Sequence, residues 1–230
     1  CLVHPGKRLK QSQTLTFSDE LSGFISSADE EGIRTICFSY SGDLWPLLEK
    51  HGHVPLPPYI ERTDEKSDQS AYQTVYASVN GSVAAPTAGL HFTEAVFQKL
   101  DQKKIDRVDL TLHVGAGTFK PVTQNEINNH EMHFEKILIQ KRTIQKILDH
   151  LSESIAVVGT TSMRTIESLY WFGVKLIIEK KTPEEIDIKQ WDSYNSIYNC
   201  EIQPKDSLME VLNYMGKHSL ETISGQTQLM

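Results

Sequence analysis

Four segments of the chain set histidine, carboxylate, hydroxyl or guanidinium groups beside glycine or proline, where little side chain stands between the backbone and a ligand. In Ala85-Pro86-Thr87-Ala88-Gly89-Leu90-His91-Phe92 a strand end passes into a helix start, the place where parallel sheets keep their sites. Ala88 and Gly89 permit close backbone approach, and His91 is expected near the helix N-terminus. In Thr111-Leu112-His113-Val114-Gly115-Ala116-Gly117-Thr118-Phe119, His113 falls on the polar face of an alternating strand, so it is not a simple core histidine. Gly115-Ala116-Gly117 then forms a bare-backbone loop. It is not a dinucleotide fingerprint, because Phe119-Lys120-Pro121 stands where a helix should begin.

The third segment is His130-Glu131-Met132-His133-Phe134-Glu135. As a strand it puts His133 and Glu135 on one face; as a helical turn it pairs His130 with His133. That spacing could hold a metal, but no cysteine or carboxylate motif completes a ligand set, so no metal is expected. The fourth, Val158-Gly159-Thr160-Thr161-Ser162-Met163-Arg164, reads as a buried strand running through Gly-Thr-Thr-Ser into a helix. Free N–H groups and the helix dipole there favour a carboxylate or phosphate, and Arg164 adds a planar charged fork. Ordinary capping by Thr161 or Ser162 is the structural alternative.

The elements that must carry these groups fall into two parts. Residues 1–45 read as β: Thr14 to Phe17, Phe24 to Ser26 and Ile33 to Tyr40 are strand-like runs separated by turns, suggesting a piece of a small β-barrel or sandwich. A short helix, Leu44 to Lys50, follows. His53-Val54-Pro55-Leu56-Pro57-Pro58-Tyr59-Ile60 is too proline-rich for helix or central strand and must be an extended strap.

Beyond it, strands are expected at Ser82–Ala85, Val108–Val114, Ile137–Ile139, Ser154–Gly159 and Lys175–Ile178. Helices are expected after Thr93, with Phe92 and Phe97 as a hydrophobic staple, at Ile144–Leu151, from Thr161 or Ser162 through Tyr170, and at Leu208–Met215. The alternation predicts an α/β domain over residues 46–230 with a parallel-rich sheet. The end at Gln228-Leu229-Met230, inside what reads as a new strand, and the lack of an initiator Met predict a piece of a longer protein.

The 230 residues are 39% hydrophobic and 23% charged, ordinary for a soluble globular protein. No apolar run approaches the ~20 residues of a membrane span, and the start does not read as a signal peptide. Cys1, Cys37 and Cys200 are too sparse for a disulfide framework and suit a reducing cytoplasm. A formal net charge of −7 argues against indiscriminate nucleic-acid binding. Lys99, Lys103, Lys104 and Arg107, and Lys141, Arg142 and Lys146, form two local basic clusters, which as solvated surface would need no partner.

Taken in order, the strap, Tyr72-Gln73-Thr74-Val75-Tyr76-Ala77, Ala84 to Phe92, Thr111 to Phe119, the His130/His133/Glu135 set and Val158 to Arg164 resemble the S-adenosylmethionine:tRNA ribosyltransferase-isomerases of queuosine biosynthesis. The resemblance covers about residues 45–170, and the β-rich start resembles the end of that family's inserted barrel domain.

The resemblance implies an α/β main domain plus part of a small inserted β-barrel (1–45), missing portions at both ends, a cytoplasmic location and a monomer. S-adenosylmethionine is then a ribosyl-donor substrate rather than a cofactor, and the partner is a tRNA carrying 7-aminomethyl-7-deazaguanine. The products are epoxyqueuosine-tRNA, adenine and methionine. The sulfonium acidifies the ribose 5′ carbon, adenine must leave, and the acceptor amine must be neutral, so groups that titrate near neutrality are required. His91, His113 and His133 are the candidates, with Glu135 as the carboxylate alternative. Tyr59 and Tyr72 are candidates to stack on a base, and Gly115 and Gly117 to admit a ligand against backbone. Thr161 and Arg164 are candidates to hold a carboxylate or phosphate. Gln73, Thr87, Gly89 and Thr118 complete the expected substrate-binding set. Residues 179–206 match the family pattern poorly. Two other readings stand beside this one: a non-catalytic paralogue that binds RNA or a nucleoside, and a hydrolase with a histidine-ligated metal.

Overall fold

The structure is a computed structural model that describes residues 1, 3, 8–28, 33–57, 60–115, 126, 128, 130–180, 185–198 and 201–229. The chain divides into two compact units, Cys1–Pro55 and Leu56–Met230, with the division inside the proline strap.

In the first unit β1 (Thr14–Thr16), β2 (Leu21–Ala28) and β3 (Arg34–Tyr40) pair antiparallel in the order β1-β2-β3. Leu21, Gly23 and Ile25 alternate onto the buried face of β2, as a half-covered antiparallel strand requires. The pairing with β3 shifts register between Ile25 and Ser27, a bulge that increases local twist. Helix α1 (Leu44–His51) starts at Asp43, whose carboxylate accepts from the Trp45 N–H at 3.3 Å. It buries Leu47 and belongs with the strands. The three strands expected here are present. Among the described residues they form an open meander, not a closed barrel.

The second unit has a short helix α2 (Asp68–Ala71), a 3₁₀ turn (Thr87–His91), α3 (Glu94–Gln102), β4 (Thr111–His113), β5 (Glu135–Gln140), α4 (Lys141–Asp149), α5 (Thr160–Glu179), β6 (Ile186–Ile188), α6 (Pro204–Lys217) and β7 (Thr222–Thr227). Thr93 caps α3, its hydroxyl accepting from Val96 N, and the Phe92 and Phe97 rings lie 5.7 Å apart as the expected staple.

The sheet order is β4-β5-β7-β6. The β4–β5 and β5–β7 ladders are antiparallel and only β6–β7 is parallel, so the sheet is mixed and not the parallel-rich one expected. Three predicted strands are missing, and the loss of the first two explains the difference. Lys175–Ile178 is the last part of the 20-residue helix α5, because Leu169, Phe172 and Leu176 recur at helical spacing on its buried side. Ser154–Val158 is largely exposed and carries no strand. Ser82–Ala85 also forms no strand, although Val83 N–H donates to the Val114 carbonyl at 2.9 Å beside the end of β4.

Helices α4, α5 and α6 cover one face of the sheet. Ile137 and Ile139 of β5, Ile186 and Ile188 of β6 and Ile223 of β7 meet Ile144, Leu169, Phe172, Val211 and Met215 from the helices, each at most 1% exposed. The helices pack closely at one point. A Cβ on Gly173 would stand 2.2 Å from Ser207 Oγ and 2.3 Å from the Ser207 carbonyl oxygen. Gly173→Ala is therefore expected to destabilise the fold by about 1–3 kcal/mol through overpacking. Gly216→Ala, on α6 with nothing within 4 Å of its Cβ position, should instead gain up to about 1 kcal/mol of helix propensity. Urea unfolding of the two variants checks this; equal effects would contradict the close α5–α6 contact.

Candidate active site

The start of β5, the start of α5 and the end of β7 converge at one end of the sheet, and Arg164 joins them. Its Nη1 donates to Glu135 Oε2 at 2.9 Å. Its Nη2 donates to the carbonyls of His133 at 3.1 Å and Thr227 at 3.3 Å. The Arg164 side chain is 13% exposed and that of Glu135 is 1% exposed, so both charges lie largely out of water and depend on each other. Both Nη groups are thus engaged by the protein. Arg164 Nε is buried and has no partner among the described residues.

Glu135 is tied on its other oxygen as well. Oε1 accepts from the Thr161 hydroxyl at 3.3 Å and lies 3.6 Å from His133 Nε2. Burial alone would raise its pKa. The His133 contact, the Arg164 charge and the Thr161 hydroxyl outweigh it, leaving the carboxyl below its ordinary value of 4.5. Burial pushes the Arg164 pKa down, with Glu135 acting against it. The His133 side chain remains 27% exposed, so it forms the solvent-facing member of a histidine–carboxylate pair whose carboxylate is buried. A buried carboxylate behind a histidine fixes ring orientation.

Thr161 does not cap α5, contrary to one expectation, and neither does Ser162. The cap is Gly159, with φ +93 and no side-chain hydrogen bond. Its positive φ suits glycine, and the first N–H groups of a 20-residue helix keep no side-chain acceptor. A Cβ on Gly159 would sit 3.7 Å from Ala88 Cβ, so the Thr87–His91 turn borders the α5 N-terminus. Within that turn His91 is exposed and its side chain joins no hydrogen bond or ion pair among the described residues. Thr87 is exposed. Gly89 is buried, and the space beside it is filled by the chain itself: a Cβ there would come 2.0 Å from Tyr76 Oη.

His113 is at the same end of the sheet but on the other face. It pairs with Lys136, whereas Glu135 shares its face with Ile137 and Ile139, and successive strand residues point to opposite faces. The four candidate proton-transfer residues therefore do not form a single contact cluster: His133 and Glu135 meet, and His91 and His113 stand apart from them. Gly115 has nothing within 4 Å of its Cβ position. Tyr72 is half-buried at the end of α2, and Gln73 is exposed, its side-chain oxygen accepting from Thr74 N at 2.9 Å. Tyr59, Gly117 and Thr118 lie outside the described residues.

Several supporting residues escaped sequence reasoning. Gln190, buried, accepts from Met132 N at 2.9 Å and donates to the His130 carbonyl at 2.7 Å, pinning the segment that leads to His133. Ser168 Oγ lies 2.6 Å from both the Arg164 carbonyl and Thr227 Oγ1. These contacts span 58 to 60 residues for Gln190 and 59 for Ser168–Thr227, so no local pattern announces them. Among the described residues no group of three or more His, Cys, Asp or Glu is placed to hold a metal ion, and no helix is long and apolar enough to cross a membrane.

Comparison with known proteins bears on this geometry. The family model described as queuosine biosynthesis protein matches residues 1–205. The S-adenosylmethionine:tRNA ribosyltransferase-isomerase of Finegoldia magna is 45% identical over 223 residues, covering 94% of this chain and 64% of its own length. That of a Sulfurihydrogenibium species is 46% identical over 175 residues, covering 75% of this chain and 51% of its own. The chain thus spans between about half and two-thirds of these curated relatives. A solved S-adenosylmethionine tRNA ribosyltransferase from Thermotoga maritima is 24% identical, matched over 74% of this chain and 42% of its own, with a TM-score of 0.26, too slight a likeness to inform the geometry. The match over residues 1–205 and the identity to these relatives place the chain in the queuosine biosynthesis protein family.

Proposed function

We propose that the chain carries catalytic residues of an S-adenosylmethionine:tRNA ribosyltransferase-isomerase acting in the cytoplasm. The reaction moves and rearranges the ribosyl group of S-adenosylmethionine onto 7-aminomethyl-7-deazaguanine in tRNA. It yields epoxyqueuosine-tRNA, adenine and methionine. The observation that carries this reading is 45% identity across 94% of the chain to a relative of that name.

The geometry supplies chemistry that the reaction needs. A base must take a proton from the ribose carbon next to the sulfonium, and an acid must protonate the departing adenine. His133, solvent-facing with Glu135 behind it, suits one of these transfers. Glu135 is buried and shared with Arg164 and Thr161, so it acts through His133 and not on substrate. His91, exposed beside the α5 N-terminus, suits the other transfer, and His113 remains a third candidate. The uncapped amides of α5 suit the methionine carboxylate, while Arg164 holds the elements around them in place. Tyr72 and the open backbone at Gly115 border the same motifs and are assigned to substrate binding.

Adenine release from S-adenosylmethionine, with and without tRNA bearing the aminomethyl-deazaguanine base, tests the reading. Release is expected only with the modified tRNA, and His133→Gln should slow it by about 10²–10⁴-fold. Tight tRNA binding without adenine release would overturn the enzyme reading and leave a binding paralogue.

Contact with tRNA is assigned to the two basic clusters, which the fold brings together. Lys146 Nζ donates to the Arg107 carbonyl at 3.3 Å, while Lys103 and Lys104 are exposed and form no ion pair among the described residues. A local patch of this kind can grip a phosphate backbone on a protein of net charge −7. The double variant Lys103→Glu/Lys104→Glu should weaken tRNA binding and flatten its salt dependence, by roughly one unit of log–log slope per lost phosphate contact. An unchanged slope would remove this face from the interface.

A further inference from the structure

The Asn80–Val83 segment preceding the Thr87–His91 turn makes contacts that the proposed mechanism leaves unexplained. Ser82 Oγ donates to the Leu112 carbonyl at 3.1 Å and accepts from Val114 N at 3.2 Å. One side chain therefore bonds the backbone on both sides of His113. Val83 N–H adds a bond to the Val114 carbonyl at 2.9 Å. Gly81 meets the imidazole itself: a Cβ there would lie 2.7 Å from His113 Nδ1 and 2.8 Å from Cε1. Gly81 also has φ +141, a backbone conformation that other residues rarely adopt. Steric contact and dihedral thus independently require glycine at this position.

Nδ1 of His113 is buried and has no hydrogen-bond partner among the described residues. What faces it is the C–H of Gly81, which offers nothing to accept a proton. In the neutral ring one nitrogen is a donor and the other an acceptor, and a buried N–H with no acceptor is the costlier arrangement. The proton therefore belongs on Nε2, the nitrogen left to meet a ligand.

We propose that Gly81 and Ser82 are positioning residues for His113, a cradle that fixes the imidazole in one orientation and as the Nε2–H tautomer, so that it presents a hydrogen-bond donor to the substrate. This rests on the reading of His113 as a site residue of the transferase-isomerase. The cradle makes His113 suited to protonating or hydrogen-bonding a departing or developing base, and unsuited, in its neutral resting form, to abstracting a proton through Nε2.

The test has two separable readouts on the protein carrying this sequence. The first is ¹⁵N NMR of labelled histidine at about pH 8, where an ordinary imidazole is neutral, with His113→Gln assigning the signals. The wild type should show Nε2 protonated and Nδ1 bare, and Gly81→Ala should mix the tautomers. The second is steady-state adenine release. Gly81→Ala and Ser82→Ala should lower kcat by up to about 10²-fold, as for a misplaced catalytic group, with KM for S-adenosylmethionine changing far less. Ser82→Thr, which keeps the hydroxyl, should restore most of the rate. Gly216→Ala serves as the distant glycine control and should leave kcat unchanged. If Gly81→Ala fails to fold, the Ser82→Ala and Ser82→Thr pair decides the question on the same readouts. An Nδ1–H tautomer in the wild type, or Ser82→Ala with wild-type kcat and tautomer, would overturn the proposal. The expected tautomer in a wild-type protein that releases no adenine would leave the cradle standing and sink the functional reading.

Discussion

A single guanidinium fixes the geometry of the sheet end where the candidate residues gather. Arg164 reaches from the first turns of α5 to Glu135 on β5 and to backbone carbonyls at His133 and Thr227. Neither charge has full access to water, so neither could be buried there alone. The planar fork of arginine reaches the carboxylate from one nitrogen and two carbonyls from another; a lysine would have to meet all three from a single nitrogen. The buried bonds of Ser168 to the Arg164 carbonyl and Thr227 back the same joint from within the core.

That joint sets what the neighbouring groups can do. Glu135 is committed to Arg164 and Thr161, and His133 is its exposed partner. Because the residue at the cap position is Gly159, α5 begins without a side-chain cap and its leading amides stay available to an anion. The antiparallel pairing of β4 with β5 puts His113 at the same end but on the opposite face.

Much of this was legible in the sequence, and the failures have physical causes. The Thr93 cap and the Phe92–Phe97 staple are local, and both occur as read. The contact of His133 with Glu135 matches one of the two readings open for that segment, although His133 lies before β5 and not within a strand. Lys175–Ile178 misled because a β-branched apolar run looks the same in a buried helix and a buried strand; only the helical recurrence of Leu169, Phe172 and Leu176 decides between them. Removing that strand and Ser154–Val158 changes a parallel-rich sheet into a mixed one. The inward turn of Arg164, the clamp made by Gln190 and the Gly81 contact with His113 were not legible, because each joins residues 29 to 63 positions apart or, at Gly81, consists of a missing side chain.

The account depends most on Arg164 and Glu135 being each other's partner, and a double-mutant cycle on unfolding free energy measures that directly. Glu135→Gln and Arg164→Gln should each be costly, about 3–5 kcal/mol, by stranding the other charge. The double variant should cost clearly less than their sum, with a coupling energy of up to about 3 kcal/mol at pH 7. The Glu135 pKa is lowered in the folded protein, so this stabilisation is present above its ordinary value of 4.5 and should fade as the pH falls below it. Additive costs, or a coupling that persists unchanged in acid, would contradict the buried ion pair as the joint of the site.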